Sequence, residues 1–87
     1  MSVEQIEQGK AHVERLIRQL AAAELGGELV GAFSWSVDSE GDQYAVAAAI
    51  SGERRVLSLS EEDLEDAGDP IKQGQLERRI RRWVRSI

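Results

Sequence analysis

FSWSVDSEGDQYAVAAAISGERRVLSL, residues 33–59, is the stretch that decides the fold. Large side chains stand at every second position, first Phe33, Trp35 and Val37, then Tyr44, Val46 and Ile50, then Arg55, Leu57 and Leu59. A period of two is that of a β-strand with one face buried. The runs are separated by the turn cluster Asp38-Ser39-Glu40-Gly41 and by Gly52-Glu53, a two-residue hairpin signal with glycine first, as a type II′ turn requires. A four-residue loop from Asp38 to Gly41 predicts Trp35 opposite Tyr44 and Phe33 opposite Val46. The Gly52-Glu53 turn predicts Ile50 opposite Arg55, Ala48 opposite Leu57 and Val46 opposite Leu59. A one-residue slip would carry Tyr44 to the other face, so the alternation selects this parity. Leu29 joins the large face. The opposite face then holds Val30, Ala32, Ser34, Ser36, Ala45, Ala47, Ala49, Val56 and Ser58, all small or only mildly apolar.

Outside this meander the period changes to 3.6. Val3, Ile6, Val13, Leu16, Ile17 and Leu20 fall on one side of a helix, opened by a Ser2/Gln5 capping box and closed by Gly26-Gly27. Gly9 lies near this stripe, where glycine costs about 1 kcal/mol relative to alanine, and its place there suits the close approach of another backbone. Ser60 with Asp63 is a second capping box, beginning a short helix through Leu64 that Gly68 ends. Asp69-Pro70 supplies an N-cap and a first helical position for a last helix. There Leu76, Ile80, Trp83, Val84 and Ile87 keep the spacing of a buried stripe. The expected architecture is α+β, one domain over residues 1–87. Its order is α-β-β-β-α(α), a three-stranded antiparallel meander with the N- and C-terminal helices packed on one sheet face.

Composition narrows the function. Eighty-seven residues with 41% apolar content suffice for one core and not for two. No apolar run approaches the roughly 20 residues of a membrane span, and no secretory signal opens the chain, so no membrane role is expected. The absence of cysteine excludes disulfides, thiol catalysis and zinc knuckles, and fits a cytoplasmic location. His12, the one histidine, has no second ligand for a metal and no motif around it. No catalytic residue, metal or cofactor is expected. The loop Asp38-Ser39-Glu40-Gly41-Asp42 lacks the spacing of a calcium loop.

Charge is unevenly spread under the net value of -5. Residues 61–70 carry six acids and no base, whereas residues 71–87 carry six bases against one acid. The acids Glu61, Glu62, Asp63, Glu65, Asp66 and Asp69 suit helix starts. The bases Arg78, Arg81, Arg82 and Arg85 project from the last helix within about 100° of one another, with Arg79 at the margin. Such a face is either a solvated one or, because the guanidinium fork binds phosphate bidentately, an anion-binding one. Contact with three to four phosphates would give a log–log salt slope of about -3. On the sheet, Ala32, Ala45, Ala47 and Ala49 are small enough to admit a partner's sheet or helix at close range, and the edge strands can pair as well. Trp35 and Trp83 fall on core faces.

The order helix, three antiparallel strands, helix resembles that of double-stranded RNA-binding domains. That family grips RNA through a lysine-rich cluster at the start of its last helix. Here that place reads Asp69-Pro70-Ile71-Lys72-Gln73-Gly74 after five acids, and only Lys72 corresponds. The resemblance therefore implies the topology and not the RNA grip. The expected function is a small, non-enzymatic protein-interaction or regulatory module that takes an unidentified protein partner or self-associates as a homodimer. The alternative is a nucleic-acid-binding accessory protein that uses the arginine face.

Overall fold

A computed structural model describes residues 3–24, 33–38, 40–41, 43–50 and 52–86. Its order is α1 (Val3–Glu24), β1 (Ser34–Val37), β2 (Gln43–Ile50), β3 (Glu53–Ser60), α2 (Glu61–Ala67) and α3 (Gln73–Arg85), an α+β fold. The sheet is a three-stranded antiparallel meander in the order β1-β2-β3. Helices α1 and α3 pack together on one face of it. Val13, Leu16, Ile17, Leu20 and Ala21 of α1 share one core with Leu76, Ile80 and Val84 of α3 and with Tyr44, Val46, Ala48, Ile50, Leu57 and Leu59 of the sheet. Leu64 and Ala67 of α2 close its end. Val3, expected in the buried stripe, is 76% exposed at the helix start, where the core does not reach. The expected Ser2 cap, the Gly26-Gly27 helix stop, Leu29, Val30, Ala32 and Ile87 lie outside the described residues.

Both hairpins differ from the expected register by two residues. Trp35 pairs with Val46 and Val37 with Tyr44, because Asp38 belongs to the ladder and not to the turn. Its N–H donates to the Gln43 carbonyl at 2.9 Å, while its carboxylate accepts the Gly41 N–H at 2.7 Å. Gly41, at φ 81°, makes the reversal. In the second hairpin Ile50 pairs with Glu53, Ala48 with Arg55 and Val46 with Leu57. Gly52, at φ 80°, therefore takes the second turn position and not the first. A shift of two residues preserves parity, so each side chain keeps its expected face. The exception to its burial is Val37, 54% exposed at the sheet edge.

The last helix also starts later than expected. Asp69 does not cap an α-helix at Pro70. Its carboxylate accepts the Ile71 N–H at 2.9 Å and its carbonyl the Gln73 N–H at 2.8 Å. That local bond two residues on folds 70–72 as a turn, and the helix begins at Gln73. The second capping box forms as expected: the Asp63 N–H donates to the Ser60 hydroxyl and the Ser60 N–H to the Asp63 carboxylate.

Gly9 faces α2, and the expected close approach is there. A β-carbon built on Gly9 would lie 2.4 Å from the Leu64 carbonyl oxygen and 2.9 Å from its carbon. Helix propensity alone predicts that Gly9→Ala gains about 1 kcal/mol. Overpacking against a backbone costs about 1–3 kcal/mol and outweighs that gain. Gly9→Ala should thus lower the urea midpoint. A raised midpoint would mean that α1 and α2 separate freely.

Candidate functional site

Two surfaces stand out, one on each side of the sheet. The first is the face turned away from α1 and α3, formed by Ser34 and Ser36 of β1, Gln43, Ala45, Ala47 and Ala49 of β2, and Arg54, Val56 and Ser58 of β3. Period two dictates this set once the large residues are buried. Val56, 51% exposed, is its large apolar side chain. Of the expected alanines, Ala49 is exposed and Ala45 half-buried. Ala47 is only 8% exposed, since it stands mid-sheet between its cross-strand neighbours Ser34 and Val56. Ala32 lies outside the described residues.

The second surface is the arginine face of α3, and the fold divides it. Arg85 grips Glu24, the last residue of α1, through two bonds of 2.9 and 3.2 Å. Arg81 reaches the same carboxylate at 3.4 Å and Glu77 at 3.2 Å. Arg79 turns the other way, to Asp63 of α2 at 2.7 Å. Arg78 and Arg82 are exposed and form no ion pair among the described residues. The four arginines thus comprise two that fasten helices together and two that face solvent. The anchoring role of Glu24 was not legible in the sequence, because its partner stands 61 residues away.

Trp83 borders this face. Its indole N–H donates to the Val56 carbonyl at 3.1 Å, and with Leu57, Arg79, Arg82 and Ser86 it lines a shallow groove beside β3. Val56 and Ala47 form a pair without ladder bonds, so this carbonyl points away from β2, and the tryptophan covers part of the free edge. Trp35 is half-buried at the other edge. Its N–H donates to Glu14 at 2.9 Å, and the Lys10 ammonium stands 5.6 Å from both the Trp35 and Tyr44 rings. Both tryptophans therefore pack on the core with the indole nitrogen satisfied, as partly buried tryptophans require.

His12 is half-buried on α1 with the Arg15 guanidinium against its Nδ1. It borders an open cleft of about 420 Å³ between α1, α2 and the turn before α3, lined also by Glu65, Asp66, Asp69 and Lys72. Among the described residues no group of three or more His, Cys, Asp or Glu could hold a metal ion. Nor is any described helix long and apolar enough to cross a membrane. Comparison of the chain with known protein families, curated proteins and solved structures finds no match.

The helix-fastening carboxylates make stability depend on pH. Glu24 titrates below its ordinary 4.5, through the Arg85 hydrogen bond first, against a smaller opposing effect of burial, with the charges of Arg85 and Arg81 adding to it. For Asp63 burial opposes ionisation, but the Ser60 N–H, the Arg79 guanidinium and the Ser60 hydroxyl together outweigh it and hold the carboxyl below 3.8. A folded value below the unfolded one contributes stability that is complete above the unfolded value and lost as pH falls through the folded value. Urea midpoints should therefore fall progressively below about pH 4.5. Glu24→Gln should be less stable at neutral pH and show a shallower acid decline. Parallel curves for the two proteins would remove Glu24 from this account.

Proposed function

We propose that this chain is a small cytoplasmic protein-interaction or regulatory module without enzymatic activity, and that its contact surface is the outer face of the sheet. The observation that carries this reading is Val56, half exposed amid alanines and serines on a face that neither long helix covers. Small side chains let another backbone approach closely, and an isolated valine there supplies apolar area without a competing polar network. The non-enzymatic part rests on the sequence, which holds no cysteine and one histidine.

Val56→Arg is the informative variant, because a half-exposed side chain on an uncovered face tolerates charge with a stability change of about 0.5 kcal/mol or less. Wild-type protein immobilised through its C-terminus should retain one or more specific proteins from host extract. Val56→Arg should lose them while its urea midpoint stays unchanged. Retention of the same proteins by the variant would move the contact surface elsewhere.

A second reading, nucleic-acid binding, is favoured by Arg78 and Arg82, which are exposed and form no ion pair among the described residues. Two free arginines support a salt slope nearer -2 than the -3 expected of four. The double variant Arg78→Glu/Arg82→Glu tests it without touching the Glu24 anchor. Fluorescence anisotropy with short DNA and RNA duplexes should show binding that weakens between about 50 and 200 mM salt and vanishes in the variant. No binding at the lower salt would dismiss the reading.

A further inference from the structure

The two edges of the sheet are not equivalent. On β3 the Trp83 indole takes the outward Val56 carbonyl and the Asp63 carboxylate takes the Ser60 N–H. On β1 nothing comparable is present among the described residues. The Asp38–Gln43 bond sets the phase of the ladder, so Ser36 and Ser34 bond to β2 while Trp35 and Val37 direct their N–H and C=O groups outward. This edge is short and uncharged within the strand, with Trp35 and Val37 at its outward-bonding positions. Its Val37 side chain is 54% exposed although it lies on the core side of the sheet. Such an edge is a template for another strand.

The identity of that strand is indicated by the helix beside it. The flank of α1 over β1 is marked by three contacts: Lys10 over the Trp35 ring, Glu14 bonded to its N–H, and Arg18 5.1 Å from the Phe33 ring. Glu7 joins them through its 3.4 Å ion pair with Lys10. Read along the helix, this flank is Glu7, Lys10, Glu14, Arg18, with signs negative, positive, negative, positive. Reversed, it is positive, negative, positive, negative. Two such flanks laid antiparallel place Glu7 against Arg18 and Lys10 against Glu14 in both directions, with no like pair. The pattern is complementary to itself.

Strand and helix share one centre of symmetry. The charge pattern is centred near residue 12, and its middle members Lys10 and Glu14 are the two that touch Trp35. A two-fold axis through Trp35 pairs it with Trp35 of a second copy, and pairs Phe33 with Val37 in both directions. Trp35 and Val37 are outward-bonding positions, and Phe33, just before the strand, continues their alternation. Phe33 and Trp35 meet the flank of α1, while Val13, Ile17 and Leu20 join the core, so this flank faces the β1 edge and not the sheet interior.

We propose that two copies of this chain join through β1 in an antiparallel β1–β1 pair, with the α1 flanks side by side, to form a six-stranded sheet. This goes beyond the interaction module proposed above and uses a different surface, but it has a consequence for it. One three-stranded outer face, with strands of four, eight and eight residues, is about 320 Å² from strand spacing and rise. A standard interface needs about 800 Å² per partner. Two faces joined edge to edge make a continuous platform of about 640 Å², which approaches that size.

Sedimentation equilibrium of the full chain at about 100 µM is the test, a concentration at which any Kd of about 10 µM or tighter leaves most chains paired. Wild type should sediment at twice the 9.6 kDa of one chain. Glu7→Arg and Arg18→Glu should each weaken the dimer about tenfold, since each reversal acts twice across the axis. Combined, they should restore it, because the swapped pair is again complementary. Val37→Lys, an exposed edge position, should yield a folded monomer. The proposal is overturned by a monomeric wild type, by a dimer indifferent to the single reversals, or by a combined variant that stays monomeric. Capture through Val56 is read separately, so either proposal can fail without the other.

Discussion

A three-stranded sheet whose large side chains all lie on one face can be covered on that face alone, and the rest of this molecule follows from that constraint. Tyr44, Val46, Ala48, Ile50, Leu57 and Leu59 point one way, so α1 and α3 must both lie there. Crowding both long helices and α2 onto one side forces close approaches. The closest is Gly9 of α1 against the backbone of Leu64, where no side chain fits. Gly9 weakens its own helix and is retained in the fold by the contact that it permits.

The same crowding divides the work of the charges. Arg81 and Arg85 hold the end of α1 through Glu24, and Arg79 holds the start of α2 through Asp63. These are half-exposed pairs, each worth little alone. Glu24 gathers two guanidiniums, and the Asp63 carboxylate serves both a helix cap and an ion pair. Their effect is to fix helix positions more than to add stability. A run of arginines that reads as one feature along the sequence is therefore two features in space, and among the described residues Arg78 and Arg82 are its members without an ion pair.

Much of the fold was legible because periodicity is a local property. The change from 3.6 to 2 marks α1 and the three strands, and Ser60/Asp63 marks α2. The faces of the sheet were readable from parity, which survived although both registers moved by two residues. The registers themselves were not readable. They depend on Asp38 joining the ladder through its backbone while its carboxylate holds the turn, and on Gly52 taking the second turn position. Both alternatives keep the same hydrophobic pattern, so hydrophobicity does not distinguish them. The start of α3 lies later than its sequence signals for a related reason: the Asp69 carboxylate makes a turn bond to Ile71 in place of an N-cap bond.

The sequence by itself determined the class of fold, the two faces of the sheet and the set of residues available for function, because alternation, capping and composition act over a few residues. Only the tertiary structure decided which of those residues are free. Glu24 meets Arg85 across 61 residues, Trp83 covers the β3 edge at Val56, and Glu7, Lys10, Glu14 and Arg18 line the flank of α1 beside the edge strand β1. Each depends on where separate elements lie in space, and pair contacts at that range leave no periodic trace in the chain.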